Sequence, residues 1–148
     1  MKPKLYLNES RSDHRGKVSF SNELDLTKAV RTYKVSNEKI RTVRAWHGHK
    51  LEEKWISVEE GEYLICAVKV NDFEKPNKKQ KIFKFTMNSD SGILHIPSNF
   101  ANGAMNITKK NSIRYFSSLK LEQSKDDDFR FDSRYWDPWS EFNPNLYE

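Results

Sequence analysis

Arg44-Ala45-Trp46-His47-Gly48-His49-Lys50, with Lys54 and then Gly61 following, decides how the rest of the chain is read. Side chains of an extended strand alternate between its faces, so His47 and His49 project from one side, one pleat apart. Two imidazoles then share one pocket. Such a pair either binds a metal or handles protons, and the residues around it decide which.

Outward from this stretch the dominant period is two. Lys54-Trp55-Ile56-Ser57-Val58 runs into a turn at Glu59 to Gly61, and the apolar run from Tyr63 to Val70 follows, which predicts a hairpin. Asn71 to Lys79 is polar, contains Pro76 and reads as a loop, after which Lys81 to Met87 alternates again. Asn88 to Gly92 turns the chain into Ile93-Leu94-His95-Ile96, and Pro97 stops that strand by removing a backbone donor. Ala104 to Thr108 and Ser112 to Ser117 predict a second hairpin around Lys109-Lys110-Asn111. Short strands at this spacing predict an all-β sandwich or barrel, one domain over residues 1–148. Beyond Glu122 the chain turns acidic and then aromatic, ending its motif-bearing part in Tyr135-Trp136-Asp137-Pro138-Trp139. This short irregular C-terminal tail is expected to pack its rings over the barrel rather than to form a binding box.

Composition narrows the function classes. Charged residues make up 32% and aromatic residues 13%, too many rings for disorder and too much charge for a large helical core. The net charge of +5 is spread among interleaved acids with no basic block, which argues against nucleic acid and suits a small anionic ligand such as a nucleotide diphosphate. No apolar run approaches the roughly 20 residues of a membrane span, and no signal-peptide core follows Met1-Lys2-Pro3-Lys4. A soluble, cytoplasmic protein without membrane contact is expected. Cys66 is the single cysteine and sits in an apolar strand, where it reads as a small buried hydrophobe in a reducing compartment.

The His-x-His strand, the Gly-ended turn and the later Gly92 to Pro97 segment resemble the two motifs of a cupin, a small antiparallel jelly-roll barrel with its site inside. In the metal-binding cupin pattern the first motif supplies two His and a Glu, and the second supplies another His. Here the Glu position, with six residues between it and Gly61, is Lys54, and the second His position is Asn102. An ammonium cannot coordinate a divalent cation and repels it, so neither metal nor cofactor is expected. Glu52 and Glu53 are out of register with the motif and read as solvated acids beside the turn.

Lys at that position is a feature of the RmlC-like cupins, the nucleotide-sugar epimerases and isomerases typified by dTDP-4-dehydrorhamnose 3,5-epimerase. Asp13-His14-Arg15-Gly16 is similar to that family's Asp-x-Arg-Gly, Arg44-Ala45-Trp46-His47 to its Arg-Gly-Leu-His, and Ala101-Asn102-Gly103 to its Ala-His-Gly. Ile96-Pro97 and Trp136-Asp137-Pro138 continue the order. His47-Gly48-His49-Lys50 and the upstream Arg31-Thr32-Tyr33 resemble the dTDP-sugar 3,4-ketoisomerases more closely. Both relatives act on nucleotide-linked 4-keto-6-deoxy sugars, so the resemblance implies an isomerase that removes a proton next to the keto group. It implies His47 as general base, His49 as its proton-handling partner, Lys54 as stabiliser of the oxyanion and Tyr33 as a sugar-orienting or proton-relaying group. Arg15 and Arg44 would contact the diphosphate, with Arg31 and Asn102 completing the substrate-binding set. His95 is expected as a strand residue and His14 as a loop residue, neither with a role.

Two features of the epimerase have no counterpart in the sequence. The position of its opposite-face acid, a Tyr, falls on Leu121, and no counterpart is expected for the Asp that orients its base from a C-terminal segment. Double epimerisation is therefore disfavoured against ketoisomerisation or epimerisation at one carbon. The rival reading is an inactive cupin that binds a sugar nucleotide or a partner enzyme. A homodimer is expected, since these relatives pair through edge strands, and the setting implied is surface-polysaccharide or deoxysugar biosynthesis.

Overall fold

The computed structural model describes residues 1–143 and 146. Residues 144, 145, 147 and 148, the end of the expected tail, lie outside the described residues. Among the described residues the strands are β1 (Lys4–Leu7), β2 (Glu9–Asp13), β3 (Gly16–Phe20), β4 (Arg31–Val35), β5 (Val43–His49), β6 (Lys54–Glu60), β7 (Tyr63–Lys69), β8 (Ile82–Met87), β9 (Gly92–Ile96), β10 (Phe100–Asn106), β11 (Ser112–Ser117) and β12 (Phe129–Arg130), with one short helix, α1 (Leu121–Lys125). Two antiparallel five-stranded sheets, ordered β1-β9-β6-β11-β4 and β12-β5-β10-β7-β8, face each other, and β2 and β3 form a separate ribbon. This is the expected jelly roll. No described helix is long and apolar enough to cross a membrane.

Strand periodicity sorts the two cores. On β7, Tyr63, Ile65 and Ala67 point between the sheets, where they meet Ile56, Val58, Leu94, Ile96 and Phe100. Leu64, Cys66 and Val68 point the other way, against Trp46, Trp136 and Trp139. A strand buried on both faces reads as a continuous apolar run, as Tyr63 to Val68 does. The C-terminal rings thus cover the outer face of the second sheet, as expected, with Trp46 Nε1 donating to the Trp136 carbonyl at 3.0 Å. Gly48 is needed here: a Cβ would lie 2.9 Å from Phe131 and 3.1 Å from the Phe129 carbonyl oxygen.

Both expected hairpins need correction. β6 and β7 belong to opposite sheets, and so do β10 and β11, so each connection is a corner rather than a hairpin turn. Alternation of polar and apolar residues is identical in the two cases, because a strand that crosses to the facing sheet keeps its inward side. The two corners lie side by side. Gly61, at φ +78°, presents no Cβ where Thr108 Oγ1 and the Lys110 carbonyl oxygen would be 2.2 Å away, and Glu62 N donates to Thr108 Oγ1 at 3.0 Å. Among the strands, the hairpins are instead β2–β3 and β7–β8.

Candidate active site

A cavity of about 360 Å³ opens between the sheets at the end where β5, β6 and β11 meet the segment around α1. From the second sheet β5 contributes Arg44, His47 and His49, and β10 contributes Asn102. Strict alternation would separate Arg44 from His47. The register shift opposite Asn102 and Ala104, which leaves Ala45 and Trp46 facing the outer core together, returns both to the cavity. From the first sheet come Arg31 and Tyr33 on β4, Lys54 on β6 and Tyr115 on β11. Leu121, Ser124, Lys125, Asp128 and Arg130 close the mouth.

The two walls differ chemically. Lys54 Nζ donates to Tyr33 Oη at 3.0 Å and sits 5.3 Å from the Tyr115 ring centre, over a Tyr33–Tyr115 stack with ring centres 5.1 Å apart. An ammonium held against aromatic faces and one hydroxyl keeps free donors for a ligand oxygen. Opposite it, burial lowers His47 from 6.5 to about 4, helped by the positive charges of Lys54 and Arg130. His47 is therefore neutral, with a lone pair to offer, at physiological pH. Burial and Lys54 also lower His49, against an opposing pull from Glu52.

His49 Nδ1 lies 2.7 Å from the Asp127 carbonyl oxygen, an atom that can only accept, so Nδ1 carries the proton, and the buried Nε2 lies 3.5 Å from Glu52 Oε2. Asp127 also fixes the turn beyond β5. Its Oδ1 accepts from Lys50 N at 2.8 Å, and its Oδ2 from Leu51 N at 3.0 Å and Glu52 N at 2.8 Å. Arg44 is held from below: its Nε donates to Asn37 Oδ1 at 2.7 Å, and Asn37 is bonded in turn to Asn106 and Asn111. Among the described residues, no group of three or more His, Cys, Asp or Glu side chains is placed to hold a metal ion.

Solved structures carry the same architecture. A 3,4-ketoisomerase from Helicobacter canadensis superposes with a TM-score of 0.68 over 97% of this chain and 98% of its own, at 18% identity. The dTDP-4-dehydrorhamnose 3,5-epimerase of Bacillus anthracis, solved with TDP and pyrophosphate bound, gives 0.74 over 93% and 84%, also at 18% identity. The 3,5-epimerase of Sulfolobus tokodaii gives 0.66 over 86% and 76%, at 26% identity. No protein-family model and no curated sequence matches the chain. The fold is that of the RmlC-like cupins.

On this cupin scaffold seven of the eight residues expected from sequence line one cavity: Arg31, Tyr33, Arg44, His47, His49, Lys54 and Asn102. Arg15 does not join them. It lies at the tip of the β2–β3 ribbon, 79% exposed in its side chain and paired with Asp13 at 2.6 Å. Leu121 does reach the mouth of the cavity, so the position read as a missing acid is a lining position. Glu52 and Glu53 correct the reading of two solvated acids. Glu52 is 2% exposed and lies 3.5 Å from Lys54 Nζ, while Glu53 bonds His95 at 2.8 Å behind the sheet. Sequence reasoning also missed Asp127, whose only signal was its place in the acidic run Asp126-Asp127-Asp128.

Proposed function

We propose that the protein is a metal-independent isomerase or epimerase of a nucleotide-linked 4-keto-6-deoxy sugar, working by proton abstraction next to the keto group. The observation that carries this is the facing of two walls: neutral His47 with His49 beside it on one sheet, the Lys54–Tyr33 pair on the other. A C–H bond next to a carbonyl becomes acidic when the carbonyl oxygen is met by positive charge. Lys54 supplies that charge, and His47 accepts the proton.

Arg31, Arg44, Lys125 and Arg130 surround the cavity, and guanidinium forks match the oxygens of a diphosphate. Asn102, whose Nδ2 donates to the His47 carbonyl at 3.4 Å, fixes the His47 backbone and offers its amide to a sugar hydroxyl. With Leu121 where an opposite-face acid would stand, proton traffic runs on the face of the two imidazoles. In this reading the protein acts in the cytoplasm as a homodimer in deoxysugar or surface-polysaccharide biosynthesis. The β2–β3 ribbon, exposed at nearly every residue, is the surface for a second copy to cover, and Arg15 meets substrate only from there.

The test is incubation with dTDP-, GDP- and UDP-linked 4-keto sugars in deuterated water, with NMR locating the label. Deuterium on a carbon beside the keto group, lost in His47→Ala while sugar-nucleotide binding persists, is the expected result. No uptake from any sugar, with tight binding retained, establishes the inactive binding cupin instead.

A further inference from the structure

Arg44 differs from the other cations that line the cavity. Arg31 stands 3.6 Å and Lys54 3.5 Å from Glu52, Lys125 stands 3.5 Å from Glu122, and Arg130 stands 3.0 Å from Asp128. Among the described residues no carboxylate pairs with Arg44. Its anchor is the neutral Asn37, whose Oδ1 accepts from Arg44 Nε at 2.7 Å. A carboxylate partner cancels charge that a ligand would otherwise meet, and an amide oxygen does not.

The direction of that bond is set from the buried backbone. Thr42 N, which can only donate, gives its hydrogen to Asn106 Oδ1 at 3.0 Å, so the Asn37 atom that meets the same oxygen at 3.0 Å must be Nδ2. Asn37 Oδ1 is thereby turned to Arg44. Asn106 Nδ2 is held in turn by the Lys39 and Thr108 carbonyls, each at 3.0 Å. The main chain of Asn37 is fastened separately: its N–H donates to Asn111 Oδ1 and its carbonyl accepts from Asn111 Nδ2, both at 2.8 Å. Three buried amides thus brace the side chain of an exposed residue. An exposed arginine ordinarily samples many rotamers, and a ligand that captures it must offset the freedom lost. Here Nε is committed before any ligand arrives, which leaves Nη1 and Nη2, the end-on fork of the guanidinium, as donors for two oxygens.

We propose that Asn37 is a positioning residue for the substrate's diphosphate: its amide presets Arg44 end-on with the charge intact, which makes Arg44 the cation that captures the phosphate oxygens. The inference rests on the nucleotide-linked sugar reading above. Asn37 is not among the residues that line the cavity, so it acts only through Arg44. An aspartate in its place would hold the guanidinium but neutralise it, and would set an oxygen against Asn106 Oδ1.

Asn37→Ala removes the anchor alone. Both main-chain bonds to Asn111 remain, and Asn106 Oδ1 keeps its bond from Thr42 N. Calorimetric titrations with dTDP and, separately, with inorganic pyrophosphate compare wild type, Asn37→Ala, Arg44→Ala and the double variant. Asn37→Ala should bind both probes about three- to tenfold more weakly, the cost of ordering one long side chain. Arg44→Ala should lose about 10- to 100-fold, the scale of hydrogen bonds to a charged group. The double variant should bind like Arg44→Ala, within about twofold, because the two residues act as one unit. Full affinity in Asn37→Ala, losses that multiply in the double variant, or a loss for dTDP that pyrophosphate does not share overturns the inference. One measurement needs no variant to fold. In NMR relaxation of the free wild-type protein, Arg44 Nε–H should be as ordered as the backbone amides around it, and an Nε–H as mobile as that of a solvated arginine overturns the inference too. Wild-type protein that binds neither probe overturns this inference and the reading beneath it together. If binding follows the expected pattern and no 4-keto sugar takes up deuterium, the isomerase reading fails and the role of Asn37 stands.

Discussion

The backbone carbonyl of Asp127 and the imidazole of His49 are joined at 2.7 Å across 78 positions of sequence, while the Asp127 carboxylate gathers three successive backbone donors of the turn at Lys50, Leu51 and Glu52. One residue thereby sets the tautomer of a site imidazole and the path that brings Glu52 inside. Asp127→Ala should leave those donors without their acceptor. At about 1–3 kcal/mol for a buried group left unsatisfied, a loss of about 3 kcal/mol is expected in urea unfolding. Isomerase activity should fall with it even at temperatures where the variant stays folded.

His47 gives the pH dependence its sign. Its value in the folded protein, about 4, lies below its ordinary 6.5, so between these the unfolded chain binds the proton more readily. The stability that neutral His47 contributes is complete above pH 6.5 and is lost as pH falls toward 4, on the order of 3 kcal/mol in all. Urea midpoints measured at pH 7 and pH 4.5 should differ, and His47→Gln should shrink the difference. In the same way the acid limb of kcat/KM should lie near pH 4.

Removing the charge of Lys54 moves that limb. Lys54→Met deletes a cation that lowers both imidazoles, so the acid limb should shift upward toward 6.5, the ordinary value of His47. It also strips the oxyanion of its counter-charge and Glu52 of a partner. Deuterium uptake should drop by about 10²–10³, the scale of losing one preorganised donor. Unchanged uptake would rule out Lys54 as the stabilising group.

The sequence displays those parts of this site that follow from period two within one strand. His47 and His49 share a face because they are two apart, and Lys54 enters the cavity from the start of the next strand. Arg44 reaches the same cavity only through a register shift that depends on the neighbouring strand β10, so spacing by itself would have turned it outward. Glu52 was illegible for a related reason. Leu51-Glu52-Glu53 has the polarity of a solvated turn, yet Leu51 is 71% exposed and Glu52 is 2% exposed, because Asp127 folds the backbone inward from a distant segment. The corners between sheets escaped notice because alternation records which side of a strand is buried and not which sheet the next strand joins.

Cys66 tests the two-faced burial of β7. Its side chain packs with Trp46, Leu64 and Val68 under the C-terminal rings, and burial pushes the thiol up to about 12. The thiolate is the reactive form, so a disulfide reagent at pH 8 should leave folded protein unlabelled and modify one thiol in denaturant. Gly48→Ala should change that. A methyl group there drives into Phe131, Phe73 and the Phe129 carbonyl, at a cost of about 1–3 kcal/mol for overpacking. Because those groups hold the cover over Cys66, the variant should melt earlier and its thiol should label faster under native conditions. A lowered melting temperature with Cys66 still protected would confine the damage to β12 and leave the aromatic cover in place.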